Sequence, residues 1–369
     1  PVAREADRGG RRKARMIAPG STIGILGGGQ LGRMLAMAAA SMGYRVHIFA
    51  PETELPAGDV SAAVTRAAYT DHAALEAFAA AVDVVTLEFE NVDAASLEFL
   101  ESRVPTRPGA RALRIAQDRL AEKDFFTGLG GRAAPYRAVS SRAELEAAVR
   151  EIGTPGILKT RRFGYDGKGQ VRIHADTSLD AAWADIGENP SVYEGFVSFD
   201  AEFSILLARA EDGSSVVYPA PRNTHEDGIL ALSEVPARAV PAAHMEEAAA
   251  MARKVADALS YVGLITLEFF ACADGPVFNE MAPRVHNSGH WTIEGAHTSQ
   301  FENHIRAICG LPLGETGLSA RAVRMKNLIG EDANDWAAIL ADPRAHLHLY
   351  GKSEVKPGRK MGHVTWLED

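Results

Sequence analysis

Residues 279–292 carry a dense run of polar side chains, and they read Asn279-Glu280-Met281-Ala282-Pro283-Arg284-Val285-His286-Asn287-Ser288-Gly289-His290-Trp291-Thr292. Packing does not explain so many polar groups, so the run predicts one side of an active site. Just before it, residues 264–270 alternate like a strand with one carboxylate, Glu268, and residues 277–280 are typical of its hairpin partner. Glu268, Glu280 and the Asn279 amide on one side of a sheet would form an oxygen-ligand set for Mg²⁺ that bridges nucleotide phosphates.

A second group of candidate residues lies earlier in the chain and combines a cation with a glycine-rich turn. Lys159 lies on a predicted strand, and the loop after it reads Gly164-Tyr165-Asp166-Gly167-Lys168-Gly169-Gln170. Its glycines allow backbone amides to approach a ligand closely, and such a loop can cover phosphates and exclude water. Lys159 would be a fixed cation beside those phosphates. Strand, glycine hairpin and strand therefore predict a flap over a nucleotide.

The composition excludes several classes of protein. A chain of 369 residues with 46% hydrophobic and 24% charged residues predicts a globular protein of two or three domains. A net charge of -9 argues against a nucleic-acid partner. Cys272 and Cys309 are too few for a disulfide framework or a thiolate zinc site, which predicts a reducing, cytoplasmic location. No apolar run approaches the roughly 20 residues that span a bilayer, so no membrane partner is expected.

The N-terminal part of the chain divides into a basic tail and an α/β domain. Residues 1–20 are rich in arginine and poor in apolar side chains, which predicts a disordered tail. Residues 21–112 then follow a β-α-β pattern, with strands at 23–26, 45–49 and 82–87 and helices at 33–42, 73–81 and 95–103. The buried-type strands and intervening helices predict a doubly wound parallel sheet.

The rest of the chain predicts antiparallel sheet. Residues 113–318 form a predicted central domain that includes a small lid subdomain at about 130–195. Strands at 191–194 and 201–207 are assigned to a larger antiparallel sheet, with an amphipathic helix at 244–259 packed on it. Residues 319–369 form a small C-terminal β segment, with strand patterns at 346–350 and 352–363.

One alternative arises from the glycine turn after the first strand. Gly27, Gly29 and Gly32 satisfy the dinucleotide-binding pattern, and Glu52 stands where a ribose-binding acid would lie. Taken alone, these residues favour an NAD(P)-dependent oxidoreductase. That class gives no reason for the flap, for Lys159 or for the paired carboxylates, and no hydride-acceptor site is evident.

Four runs in the same order and spacing resemble the 5-(carboxyamino)imidazole ribonucleotide synthetase family of ATP-grasp enzymes in purine biosynthesis. They are Gly27-Gly28-Gly29-Gln30-Leu31-Gly32-Arg33-Met34, residues 164–170, Ala282-Pro283-Arg284-Val285-His286-Asn287-Ser288-Gly289-His290 and Lys356-Pro357-Gly358-Arg359-Lys360-Met361-Gly362-His363. The resemblance implies an ATP-grasp fold of mixed α/β and α+β class. Its parts are a Rossmann-like parallel preATP-grasp domain, the lid, a central antiparallel sheet domain and a C-terminal β segment. In the family a terminal helix usually follows the last strand, whereas this sequence ends at Asp369.

The resemblance also implies a reaction. Its substrates would be ATP, bicarbonate and 5-aminoimidazole ribonucleotide, and its products the carboxyamino ribonucleotide, ADP and phosphate, with carboxyphosphate as intermediate and Mg²⁺ as cofactor. A homodimer is expected. The alternative within the superfamily is the formate-dependent glycinamide ribonucleotide transformylase, which uses formyl phosphate. Tyr165-Asp166 in the flap and the run of residues 286–290 favour the carboxylating enzyme.

The resemblance assigns roles to individual residues. It implies ATP contacts by Arg119, Lys159, Gly164, Tyr165, Asp166, Gly167, Lys168, Gly169, Gln170, Glu194, Gly195, Phe196, Val197, Glu202, His225, Asn279 and Glu280. It implies magnesium ligation by Glu268 and Glu280 and catalytic roles for Arg284, Lys159 and Asn287. Substrate contacts are implied for Gln30, Leu31, Glu90, His286, Asn287, Lys352, Arg359 and Lys360.

Two points stay open in the sequence. Glu88 and Glu90 both follow a parallel strand, where ligands gather in open α/β sheets, and either could contact the ribose, with Glu90 the better match to the family. His286 and His290 have the spacing of zinc ligands, but no third ligand is evident.

Overall fold

The structure is a computed structural model that describes residues 16–164 and 169–368. The predicted nucleotide contacts Tyr165, Asp166, Gly167 and Lys168 lie outside the described residues, as does the predicted tail up to residue 15. Residues 16–20 are described, and the Ile17 amide donates to the Cys309 carbonyl at 2.9 Å. Within the described ranges, no helix is both long and apolar enough to cross a membrane.

The N-terminal sheet is parallel throughout, in the order β3-β2-β1-β4. Its strands are β1 (Thr22–Leu26), β2 (Arg45–Phe49), β3 (Ala63–Thr65) and β4 (Val84–Leu87). Its helices are α1 (Gln30–Ser41), α2 (His72–Ala80) and α3 (Ala94–Glu101). The doubly wound pattern is confirmed, but the prediction missed β3, whose three partly exposed residues are too few to show a strand period.

The lid has its own antiparallel sheet, in the order β5-β8-β6-β7. Its elements are β5 (Tyr136–Val139), α6 (Arg142–Ile152), β6 (Gly156–Thr160), β7 (Gln170–Ile173), α7 (Leu179–Asp185) and β8 (Ser191–Gly195), preceded by α4 (Ala110–Ala116) and α5 (Arg119–Gly128). The assignment of residues 191–194 to the larger sheet is wrong, because Glu194 pairs with Tyr136 and Ile157 in the lid. Alternation identifies a strand but not its partner.

The central sheet is antiparallel and, within the described residues, runs β14-β13-β9-β11-β12-β15-β17-β16, with β10 beside β9. Its strands are β9 (Ala201–Arg209), β10 (Ser215–Val217), β11 (Arg222–Glu226), β12 (Ile229–Val235), β13 (Gly263–Cys272), β14 (Gly275–Ala282), β15 (Ala322–Ile329), β16 (Ala345–Leu349) and β17 (Lys360–Glu368). The remaining helices are α8 (Ala242–Ala258), α9 (Thr292–Gly295), α10 (Gln300–Ile308) and α11 (Trp336–Leu340). The C-terminal strands continue the central sheet, because β15 pairs with β12.

Helix α8 determines which face of the central sheet carries the polar residues. Its apolar stripe, which includes Met251 and Val255, packs in one cluster with Leu267 and Phe269 of β13. Burial of each such side chain contributes about 1.5–3 kcal/mol. Because side chains alternate along a strand, Glu268 lies on the face away from α8.

A buried histidine links the N-terminal and central sheets. The Nδ1 atom of His304 accepts a hydrogen bond from the Leu264 amide at 3.0 Å, so Nε2 carries the proton and donates to Thr86 Oγ1 at 2.8 Å. Burial lowers the pKa of His304 to about 3. A proton on Nδ1 would break the bond to Leu264, so the folded state requires the neutral ring.

The free energy of unfolding that His304→Ala costs, relative to the wild type, is expected to become smaller as the pH falls. The unfolded chain binds a proton on His304 near pH 6.5 and the folded chain does not, so this residue's contribution declines below pH 6.5 by up to about 1.4 kcal/mol per pH unit. Urea unfolding measures the difference in the free energy of unfolding between the wild type and His304→Ala. This difference should be about 2 kcal/mol smaller at pH 5.0 than at pH 7.5. Exposed His346→Ala is the control, and an equal difference at both pH values would contradict the assignment.

Candidate active site

The two predicted metal ligands lie directly opposite each other on β13 and β14, with Glu268 in register with Glu280. Side chains opposed in this way extend from the same face of a sheet. Burial, together with the Glu280 carboxylate, raises the pKa of Glu268 to about 7. Burial also acts to raise the pKa of Glu280, but Arg119, whose Nη1 donates to Glu280 Oε2 at 3.1 Å, and Lys159 outweigh it and lower the pKa.

This donor set fits Mg²⁺. Two buried carboxylates repel each other, and a divalent cation between them would compensate both charges. In the described part of the chain, no cluster of three or more His, Cys, Asp or Glu side chains can hold a metal, and His286 and His290 belong to none. Mg²⁺ suits such a site, because it is usually held by one or two carboxylates while phosphates and water supply its other ligands.

Two lysines surround a buried glutamate on the lid side of the cleft. The Nζ atom of Lys159 on β6 donates to Glu194 Oε2 at 3.0 Å, and the Nζ atom of Lys123 lies 3.3 Å from Glu194 Oε1. Although burial opposes it, Lys159 and Lys123 lower the pKa of Glu194 to about 2. Lys123 was not predicted as a site residue; the available signal was its position one helical turn after Arg119.

The next predicted ATP contacts follow Glu194 along the chain. Gly195 and Phe196 donate their amides to the carbonyls of Pro135 and Pro155 at 2.9 and 3.1 Å, which holds the start of the segment that continues to Val197. The Phe196 side chain is 53% exposed, so it is available to a planar ligand. Glu202 on β9 contacts His225 on β11. Burial lowers the pKa of His225, but the hydrogen bond to Glu202 and the charge of Glu268 outweigh it and raise the pKa.

The structure distinguishes the two acids after β4. Glu88 is buried and accepts the amides of Gly29 and Gly32 at 2.8 and 3.1 Å, in place of a capping side chain on α1. Any Cβ at Gly27, whose φ is +103°, would lie 2.6 Å from Glu88 Cγ. The amides that would bind a dinucleotide pyrophosphate are therefore bound to a carboxylate of the protein, which argues against the oxidoreductase alternative.

Glu90 faces the active site and binds Arg284 with both oxygens. Arg284 Nη2 donates to Glu90 Oε1 at 2.8 Å, and Nε donates to Oε2. The pair joins the end of β4 to the segment after β14, so it spans the N-terminal and central sheets. Burial raises the pKa of Glu90, but the Arg284 guanidinium outweighs it and lowers the pKa.

The other residues of the polar run have different surroundings. His286 Nε2 lies 3.3 Å from Glu268 Oε1, and the backbone of His286 exchanges hydrogen bonds with the Gln300 amide group at 2.9 and 2.7 Å. Asn287 and Asn327 of β15 exchange side-chain amide bonds at 2.9 and 2.8 Å. Ser288 and His290 are fully buried. Neither Gln300, 14 residues after His286, nor Asn327, 40 residues after Asn287, was predicted as a site residue, because no local pattern links either of them to the run.

The predicted substrate contacts Lys352, Arg359 and Lys360 lie where β17 meets the N-terminal domain. Arg359 Nη2 donates to Glu54 Oε2, and Lys352 Nζ donates to the Lys360 carbonyl at 2.7 Å. Burial, with the charge of Arg359, lowers the pKa of Lys352 to about 8. Gln30 begins α1, whereas the side chain of Leu31 is part of the buried core, so only the backbone of Leu31 is suited to a substrate contact.

Three family models match successive parts of the chain. The ribonucleotide synthetase preATP-grasp domain matches residues 20–117, the ATP-grasp domain matches residues 124–301, and the phosphoribosylaminoimidazole carboxylase C-terminal domain matches residues 324–369. The fold and the opposed carboxylates agree with these matches. The chain is an ATP-grasp protein.

Known relatives narrow this class. The chain is 49% identical over 355 residues to the N5-carboxyaminoimidazole ribonucleotide synthase of Brucella melitensis, covering 95% of this chain and 98% of the relative. A crystal structure of an N5-carboxyaminoimidazole ribonucleotide synthetase with ADP is 42% identical, with a TM-score of 0.92 and coverage of 96% and 94%. The Aspergillus clavatus enzyme with ADP and 5-aminoimidazole ribonucleotide is 32% identical, with a TM-score of 0.86 and 94% coverage of both chains. The chain therefore belongs to the N5-carboxyaminoimidazole ribonucleotide synthetase family.

Proposed function

We propose that this chain uses ATP and bicarbonate to carboxylate 5-aminoimidazole ribonucleotide, forming N5-carboxyaminoimidazole ribonucleotide, ADP and phosphate in purine biosynthesis. The observation that carries the proposal is the pairing of Glu268 with Glu280 beside the Arg284–Glu90 contact. This arrangement brings a nucleotide-type site on the central sheet next to the N-terminal domain. The Aspergillus clavatus relative was crystallised with ADP and the same ribonucleotide, which supports the choice of substrate.

The proposed chemistry begins with the activation of bicarbonate, which is a poor electrophile. A bicarbonate oxygen attacks the γ-phosphorus of ATP, the bond to the ADP oxygen breaks, and carboxyphosphate forms. The exocyclic amine of the ribonucleotide then attacks the carboxyl carbon, either of carboxyphosphate or of carbon dioxide released from it. Phosphate leaves and the amine loses a proton. Hydrolysis of carboxyphosphate is the wasteful alternative, so the site must exclude water.

The nucleotide side of the site would hold Mg²⁺ and the phosphates. Glu268, Glu280 and Asn279 would ligate the metal, which supplies positive charge for the phosphoryl group in transfer. Lys159 would add a fixed cation once the phosphates compete with Glu194 for its ammonium. Lys168, which lies outside the described residues, is proposed to add a further cation from the flap.

Arg284 would orient bicarbonate and stabilise carboxyphosphate. Its guanidinium already binds a carboxylate with two nitrogens, which is the geometry that bicarbonate and carboxyphosphate oxygens require. Glu90 is proposed to accept hydrogen bonds from the ribose hydroxyls. The backbone amide of Gln30 and the side chains of His286 and Asn287 are proposed as further substrate contacts. Ribose binding would then draw Glu90 away from Arg284 and free the guanidinium for the reacting groups.

Lys352, Arg359 and Lys360 are proposed to bind the phosphate of the ribonucleotide. Arg359→Ala is expected to raise the KM for the ribonucleotide about 10- to 100-fold, because a charge-assisted hydrogen bond contributes about 1.5–3 kcal/mol. The KM for ATP should change less than about threefold, since Arg359 itself pairs with Glu54 of the N-terminal domain and with neither carboxylate of the β13–β14 pair. Arg344→Ala, an exposed arginine of the same C-terminal segment, is the control. An unchanged KM for the ribonucleotide would place its phosphate elsewhere.

The assembly, location and domain limits are further proposals. We expect a homodimer, and the half-exposed Met37 of α1, beside a small apolar cavity of about 130 Å³ between α1 and α10, is a candidate contact with a second copy. Light scattering of the purified protein would show a monomer if this is wrong.

The location is also a proposal: two buried cysteines, neither of them in a disulfide, support a cytoplasmic location. The divisions at residues 21–112, 113–318 and 319–369 stay predictions.

Incorporation of labelled bicarbonate tests the proposed function directly. The label should enter an acid-labile product only when ATP, Mg²⁺ and 5-aminoimidazole ribonucleotide are all present, because a carbamate loses carbon dioxide in acid. Label that enters without ATP, or no incorporation at all, would contradict the proposal.

A further inference from the structure

The strand that carries Asn279 and Glu280 is irregular at these residues. In the β13–β14 ladder Glu268 pairs with Glu280, but the next pair is Phe269 with Phe278, so Asn279 is an extra residue in β14. Such a bulge interrupts the alternation of side chains and leaves backbone groups without a partner in the ladder. Asn279 and Glu280 are both partly exposed, between the buried Phe278 and Met281. The bulge therefore allows two successive side chains to reach the cleft.

Two successive residues of α5 hold the backbone on either side of Glu280. Lys123 Nζ donates to the Asn279 carbonyl at 3.3 Å, and Glu122 Oε1 accepts the Met281 amide at 2.6 Å. The side chains of Glu122 and Lys123 are only 2% and 1% exposed. Burial of polar, ionisable side chains is costly whether or not they carry a charge, and two apolar side chains of similar size would avoid that cost. Packing alone therefore does not account for this pair.

From this geometry we infer that Glu122 and Lys123 are positioning residues that fix the bulge at Asn279 and thereby hold Asn279 and Glu280 where these two residues would ligate Mg²⁺. Lys123 also lies 3.3 Å from Glu194 Oε1, so one ammonium joins the bulge of the central sheet to β8 of the lid. Glu194 in turn binds Lys159. A shift of Lys123 would displace groups on both sides of the nucleotide cleft. The inference deepens the proposed function and rests on it.

The magnesium dependence of nucleotide binding distinguishes this role from a general structural one. Mg²⁺ requires nearly ideal octahedral geometry, so a small displacement of Glu280 or Asn279 weakens its binding. Loss of residues that orient metal ligands typically costs about 10- to 100-fold in metal affinity. A residue that only stabilises the fold would lower the affinity for ADP equally with and without Mg²⁺. The ratio of these two affinities is therefore the informative quantity.

The test is isothermal titration calorimetry of ADP binding with and without Mg²⁺. Circular dichroism first establishes that each variant is folded like the wild type. In Lys123→Met the gain in ADP affinity due to Mg²⁺ should fall by about tenfold or more. Lys123→Arg keeps a donor and should recover part of the gain. Glu122→Gln keeps an acceptor oxygen for the Met281 amide and should lose less than about threefold. Lys254→Met, at an exposed position of α8, is the control for loss of a lysine charge.

The inference would be overturned if folded Lys123→Met gained as much ADP affinity from Mg²⁺ as the wild type does. If that variant does not fold, Glu122→Ala carries the same expectation of a tenfold or greater loss, and Lys123→Arg must show an intermediate gain. A wild-type gain in these variants would overturn the inference equally. A wild-type protein whose ADP affinity is independent of Mg²⁺ would overturn the inference as well, because the magnesium site on which it rests would be absent. A lack of labelled-bicarbonate incorporation would instead contradict the proposed function, so the two failures are distinguishable.

Discussion

Arg284→Ala is expected to lower the rate of carboxylation by about 10²–10³-fold, while the affinity for Mg²⁺·ATP changes less than about threefold. Loss of a positioned cation that stabilises charge in the transition state has an effect of this size. The guanidinium contacts Glu90 of the N-terminal domain, and Arg119 and Lys159 remain to bind the nucleotide side. Product formation and ATP titration on the same preparation provide the measurement.

Two further variants control for other effects of this change. Arg284→Ala leaves the Glu90 carboxylate without its partner. The double variant Arg284→Ala/Glu90→Gln, compared with Glu90→Gln alone, therefore separates loss of the guanidinium from the cost of an unpaired buried charge and from any loss of ribose binding by Glu90. Arg222→Ala removes an exposed arginine of β11 that pairs with Glu234. An equal loss of carboxylation and ATP affinity in Arg284→Ala would assign the residue to nucleotide binding instead.

Glu268→Gln is expected to lower the rate by about 10²–10³-fold and to abolish most of the thermal stabilisation by Mg²⁺·ADP. Without nucleotide and metal, the variant should unfold at a temperature equal to or above that of the wild type. The neutral amide removes the repulsion between the two opposed carboxylates, and Glu280 keeps its contact with Arg119. Greater stability with lower activity is the pattern expected at a site built for a cation.

The matched control is Glu234→Gln on β12, a partly exposed carboxylate of the same sheet. It should preserve both the rate and the stabilisation by Mg²⁺·ADP. Full activity in Glu268→Gln, or an unchanged shift in melting temperature with Mg²⁺·ADP, would show that the opposed carboxylates do not bind the metal.

The sequence predicted the local elements of the site because their patterns are short-range. The alternation at residues 264–270 and 277–280 identified the hairpin, and the structure places Glu268 opposite Glu280. Local patterns also predicted the glycine turn after β1 and the two strands, β6 and β7, on either side of the flap loop. The assignment of β8 to the central sheet was wrong, and the prediction for the C-terminal strands did not include their pairing with the central sheet. A local sequence pattern does not identify the partner of a strand that lies far along the chain.

The supporting residues could not be identified from the sequence for a different reason. Glu122 and Lys123 are charged residues that no local pattern marks as buried, yet both are buried against β14. Glu88 and Glu90 differ by two positions, and only the fold turns one toward the glycine turn and the other toward Arg284. Charged residues are buried only when tertiary partners compensate them, and those partners lie far along the chain.

The most direct test of the central claim is ADP release by the protein with Mg²⁺·ATP and bicarbonate, measured with and without 5-aminoimidazole ribonucleotide. A parallel arm contains glycinamide ribonucleotide and formate. We expect ADP release and carboxylated product only in the first arm and only with its ribonucleotide. Activity confined to the formate arm, or none in either arm, would contradict the assigned reaction.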